Sequence, residues 1–194
     1  MSQTSRRNGY GLPVEQGMYD PLNEHDACGF GFIADIHNEP RHEIVHQALD
    51  IVHHMDHRGA IGADPMAGDG AGILIQLPDA FIRKVFAKQG VEVPAKGDYA
   101  LGMVFLPRDH KLRDLAIKAI EKTTAAEGQV LLGWRDVPTD NSVLGESVKP
   151  NEPVIKQVLI QRGPTTADNA AFERKLYVIR KQAHHALWDK DEGS

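Results

Sequence analysis

The chain of 194 residues holds a single cysteine, Cys28. An internal disulfide is therefore impossible, and there is no cysteine cluster to hold iron–sulfur. The expected setting is a reducing one, the cytoplasm. Long hydrophobic runs are absent too: no stretch approaches the roughly 20 apolar residues that span a bilayer. The amino terminus lacks a secretory signal, because Arg6-Arg7 is followed by Asn-Gly-Tyr-Gly-Leu-Pro and not by an apolar segment. Basic charge is scarce, with 22 Lys and Arg against 27 Asp and Glu and a formal net charge of −5. A sequence-independent nucleic-acid binder needs a basic footprint, so that class is set aside. The loop Gly68-Asp69-Gly70-Ala71-Gly72-Ile73 lacks the third glycine of a dinucleotide fingerprint, and no Gly-Lys-Ser/Thr follows it.

What is present suffices for a core. Hydrophobic residues make up 41% and charged residues 25% of the chain, which suits one folded domain or a piece of a larger one. Residues 1–27 have no sustained apolar period and are rich in Gly, Pro and Asn, so they read as a leader. Residues 28–36 and 71–77 read as apolar strands, as do 99–106, 130–137 and 154–161. Helices are expected over about 41–55, 78–88, 112–128 and 167–187. Phe81, Ile82, Val85 and Phe86 are assigned to the inner face of the second helix. Residues 138–153 read as a loop and 189–194 as a polar, frayed tail.

Several residues invite chemistry. Cys28 opens the first strand directly after the leader. A buried cysteine packing as a small hydrophobe fits that position, and so does a nucleophile. If the leader were removed, Cys28 would carry both a thiol and an α-amine base of pKa about 7.7–8.0. His42-Glu43-Ile44-Val45-His46 matches the H-E-x-x-H pattern of zinc hydrolases on an expected helix. However, His42, His46, Asp50, His53 and His57 fall on one helical stripe opposite the apolar face, which predicts a solvated surface. Arg58 and Gly59 end that helix; Arg58 suits the helix dipole there, or folds back toward the first strand.

Together, Cys28-Gly29-Phe30-Gly31-Phe32, His42-Glu43-Ile44-Val45, His57-Arg58-Gly59-Ala60 and Gly68-Asp69-Gly70-Ala71-Gly72-Ile73 closely resemble the start of the glutamate synthase large subunit, a class II glutamine amidotransferase domain of the N-terminal nucleophile hydrolase type. Tyr19-Asp20-Pro21, Glu24-His25-Asp26-Ala27 and Phe172-Glu173-Arg174-Lys175-Leu176-Tyr177 extend the likeness. The resemblance implies an α+β fold, a four-layer αββα sandwich of antiparallel sheets, incomplete in this chain, over residues 28–188. It makes residues 1–27 a propeptide and Cys28 the nucleophile that takes glutamine to glutamate and ammonia. Arg58, Gly59, Asp69 and Gly70 are expected as supports beside the Cys28 strand. The implied partners are glutamine, the remainder of the large subunit and a small subunit. FMN and an iron–sulfur cluster are implied for the complete enzyme and none for this segment. The His-Asn-Gly-Glu and Arg-Phe-Ser-Thr motifs that supply the family's oxyanion hole and carboxylate clamp do not occur here, so the chain alone is expected to be inactive. The alternatives are a zinc hydrolase built on His42, Glu43 and His46, and a non-catalytic docking domain.

Overall fold

Three strands make one antiparallel sheet in the computed structural model, which describes residues 17, 29–55, 66 and 70–191, the last four by backbone alone. The chain divides into two compact units, residues 1–73 and 74–194.

In the second unit, α2 (Asp79–Ala87) is followed by β1 (Tyr99–Leu106), α3 (His110–Ala126), β2 (Val130–Asp136), β3 (Val154–Gln161) and α4 (Asn169–Asp191). The sheet order is β1-β3-β2, and β3 runs antiparallel to both neighbours. β1 and β2 are thus parallel to each other with a gap that β3 fills, a split β-α-β arrangement. The register runs from Tyr99 opposite Gln161 to Leu106 opposite Val154. On the other side it shifts between Leu131 and Gly133, so Leu132 is the extra residue of a bulge.

Side-chain alternation along β3 builds two cores. Leu159 joins Ile82, Phe86, Val93 and Tyr99, while its neighbours Val158 and Ile160 join Phe172, with Ile120, Trp134 and Leu176 packed against them. Phe86 and Leu159 are fully buried, and each such side chain contributes about 1.5–3 kcal/mol. The start of α3 is capped by Asp109, whose Oδ1 accepts from Leu112 N at 2.9 Å, a contact worth about 1 kcal/mol. Its end closes with Gln129 N donating to Thr124 O and Gly128 N to Ala125 O, both at 3.0 Å. Glu127 accepts from Lys175 Nζ at 2.6 Å and from Gln182 Nε2 at 3.1 Å, tying α3 to α4.

In the first unit, α1 (Glu43–His54) is the helix expected over 41–55. Its apolar residues are half-buried except Leu49, which is exposed, and His42, His46, Asp50 and His53 are exposed, as their stripe predicts. His57 lies outside the described residues.

Four expectations need correction. Residues 29–35 and 71–77 carry the apolar composition of strands but join no ladder, because no strand among the described residues pairs with them. Phe30, Phe32 and Leu74 are strongly exposed in consequence. Phe81 is half exposed, with the Arg135 guanidinium 5.7 Å over its ring. Helix periodicity puts it on the flank of the stripe that Ile82 and Phe86 bury. The helix α4 continues to Asp191 through the expected tail. A short 3₁₀ turn, Lys149–Asn151, interrupts the loop 138–153.

Candidate active site

Cys28, Arg58, Gly59 and Asp69 lie outside the described residues, so the site is described through the segments that flank them. The chain next to Cys28, from Gly29 to Asp35, forms neither helix nor paired strand. It runs flush on α1: a Cβ built on Gly31 would lie 2.6 Å from Ile51 Cγ2, closer than side chains approach. Only glycine permits this contact three residues beyond the thiol.

The far end of the segment is fixed by Asp35. Its carboxylate accepts from His37 N at 2.8 Å and Glu39 N at 3.3 Å and pairs with the Arg41 guanidinium. The Arg41 hydrogen bond, then the Glu39 amide, hold the Asp35 carboxyl below its ordinary pKa. Asn38 completes the turn at φ 56°, a left-handed conformation that asparagine tolerates. The strand-like segment is thus seated at Gly31 and anchored at Asp35 on the two ends of one turn-plus-helix.

Gly70 has φ +93° with nothing within 4 Å of a built Cβ. Backbone conformation, not space, calls for glycine there. Gly70 is the one expected support among the described residues.

The H-E-x-x-H segment is clearly placed. His42 and His46 stand edge to face with ring centres 4.7 Å apart. A catalytic zinc centre uses three protein ligands, and among the described residues no group of three His, Cys, Asp or Glu side chains is disposed to hold a metal ion. Nothing in the geometry favours the zinc hydrolase.

In the second unit, Tyr99 donates to Asp79 Oδ1 at 2.7 Å, and Arg83 Nε donates to Asp79 Oδ2 at 2.9 Å. Arg83 also donates to the carbonyls of Val93 and Pro94. Burial, then the Asp79 hydrogen bond, push the Tyr99 pKa up to about 12. Arg83, then Tyr99, hold Asp79 below its ordinary value. All three groups are engaged with one another, so this cluster pins α2 to β1 and offers no open position to a substrate. A concavity of about 350 Å³ between β1, α3 and α4 is lined mainly by apolar groups such as Met103, Leu115 and Leu187 and holds no nucleophile.

Sequence reasoning missed Ile51 and the Asp35–Arg41 pair. The apolar face read as Ile44, Val45, Ala48, Leu49, Val52 and Met55 leaves out Ile51, although it follows Ile44 by seven residues and so falls on the same stripe; periodicity could have found it. Asp35-Ile36-His37-Asn38 does carry the composition of an Asx turn, a signal that could have located the anchor. Among the described residues, no helix is long and apolar enough to cross a membrane.

Comparison with known proteins bears on most of the chain. The family model for class II glutamine amidotransferases matches residues 28–194, so its first matched residue is Cys28. The chain is 44% identical over 182 residues to the glutamate synthase [NADPH] large chain of Bacillus subtilis, covering 94% of this chain and 12% of that protein. It is 39% identical over 181 residues to the glutamate synthase [NADH] of Schizosaccharomyces pombe, covering 91% and 9%. With the ferredoxin-dependent glutamate synthase 2 of Synechocystis the figures are 37% over 159 residues, 82% and 10%. The chain therefore spans about a tenth of the length of these relatives. By this match over most of its length, the chain belongs to the class II glutamine amidotransferases.

Proposed function

We propose that the chain carries the glutaminase nucleophile of a glutamate synthase large subunit, and that this nucleophile is Cys28 after removal of residues 1–27. The carrying observation is the start of the family match at the only cysteine of the chain. While the leader is attached, the Cys28 nitrogen is an amide and is not basic. Once freed, the α-amine accepts the thiol proton, directly or through a water. The thiolate then attacks the side-chain amide carbon of glutamine. A carbon–sulfur bond forms, the carbon–nitrogen bond breaks, and the amine's proton leaves with ammonia. Water hydrolyses the γ-glutamyl thioester, releasing glutamate and restoring the thiol.

The αββα sandwich of antiparallel sheets belongs to the same reading. The unpaired apolar segments 29–35 and 71–77 support it, since they have the composition of sheet strands without a ladder. The oxyanion hole and the carboxylate clamp come from outside this chain. Losing one oxyanion donor typically costs about 2.7–4 kcal/mol of transition-state stabilisation, so residues 28–194 alone release no ammonia. In the complete cytoplasmic enzyme, ammonia passes to a synthase site that converts 2-oxoglutarate to glutamate. FMN and the iron–sulfur cluster belong to that remainder, with a small subunit as further partner. One cysteine is not a cluster donor set.

Intact mass tests the first step: the mature species should begin at Cys28, and retention of Met1 in an active enzyme would overturn it. Ammonia release by a large subunit containing this chain should be abolished by Cys28→Ser. Full activity in that variant would leave only a docking role for the domain.

A further inference from the structure

The exposed face of α1 carries a pair of side chains that the glutaminase reading does not use. His42 stands at the N-cap position and His46 one turn further on, both exposed. Their ring centres are 4.7 Å apart, with the planes at 72°. We propose that His42 and His46 form a two-imidazole chelate for a borderline divalent cation such as Cu²⁺, Ni²⁺ or Zn²⁺, and that the bound ion staples the first turn of α1.

The distance fits the chelate. A metal about 2.0–2.1 Å from one nitrogen of each ring lies about 3.2 Å from each ring centre, so adjacent ligands at about 90–110° set the centres about 4.5–5.1 Å apart. The observed 4.7 Å falls inside that span. Imidazole selects copper, nickel and zinc over magnesium and calcium, which prefer oxygen. The partial positive charge of the helix amino terminus opposes a cation, and two features offset it. Glu43 lies in the same first turn, and the adjacent cation Arg41 is paired with Asp35.

The helix end also has a use for a clip. No side chain caps the start of α1, and its first turn is held by backbone bonds alone, from Ile44 N to Arg41 O at 3.3 Å and from Val45 N and His46 N to His42 O at 3.0 and 3.4 Å. A metal joining the N-cap residue to His46 closes that turn from outside. Two protein ligands leave the other positions to water, so the ion is exchangeable and the site differs from a catalytic zinc centre.

Calorimetric titration of the full chain with NiCl₂ and ZnCl₂ tests the proposal, with hydrogen exchange read in parallel. One ion should bind per chain. His42→Gln and His46→Gln should each weaken binding tenfold or more, while His53→Gln leaves it unchanged. The Val45 and His46 amides should gain protection on metal addition in the wild type and not in His42→Gln. Undiminished binding in the His42 or His46 variant, equal loss in the His53 variant, or no gain in protection would each overturn it.

Discussion

A methyl group on Gly163 would lie 1.8 Å from the Gly128 carbonyl oxygen, where nothing but hydrogen fits. The contact is reinforced by Gln129, which is buried and fully used. Its Oε1 accepts from Gly163 N at 2.9 Å, and its Nε2 donates to Glu127 O and Thr166 Oγ1 at 2.9 Å. Gly163→Ala must push these two backbone segments apart and strand the amide. A loss of about 2–3 kcal/mol is expected, seen as a lower urea midpoint at unchanged slope. Tyr99 offers a second test at this scale. Its folded pKa is raised to about 12, so its contribution is fully present below the ordinary tyrosine value of about 10 and is lost as pH rises from there to about 12. Melting temperature followed from pH 8 to 12 should fall less steeply in Tyr99→Phe than in the wild type. At pH 7 that variant should be destabilised by about 1–2 kcal/mol through the lost hydrogen bond to Asp79. Parallel alkaline limbs would show that Tyr99 does not set this slope.

At the scale of elements, the seat of the Cys28 segment on α1 is the contact to probe. Gly31→Ala drives a methyl group into Ile51, and Ile51→Ala removes the obstructing Cγ2. The double variant should be more stable than the sum of the single losses predicts, with a coupling of about 1 kcal/mol; strict additivity would mean that the two groups do not meet. This contact also shows what a sequence can convey. β1 and β3 were readable to the residue because their apolar runs are complete and their ladder lies within the chain. Residues 29–35 and 71–77 have the same kind of run, but hydrogen-bonded pairing depends on a partner that composition does not reveal. Phe81 reads as inward from its apolar character, while helix periodicity puts it on the flank of α2, where the Arg135 guanidinium covers its ring. For the candidate site, the order of motifs pointed to Cys28. The role of Ile51 required three dimensions, because its meaning lies in the missing side chain of Gly31.

For the molecule as a whole, three carboxylates paired with cations bear on acid stability. Arg41, Arg83 and Lys175 hold Asp35, Asp79 and Glu127 below their ordinary pKa values. Each contribution is present above the unfolded carboxylate range and fades as pH drops through the lower folded value. The sheet order β1-β3-β2 reaches further than static stability. Of the three described strands, the last to leave the ribosome, β3, is the central one, and it supplies every interstrand bond of their sheet. Until residue 161 is in place, β1 and β2 are two edges with nothing between them. Each then exposes strand groups that attract other chains. A chain ending at Asp136 should therefore lack the β-sheet signal in circular dichroism and aggregate, although it contains two of the three strands. The sheet is closed from its middle, which makes the interval between synthesis of residues 136 and 161 the vulnerable one for these strands.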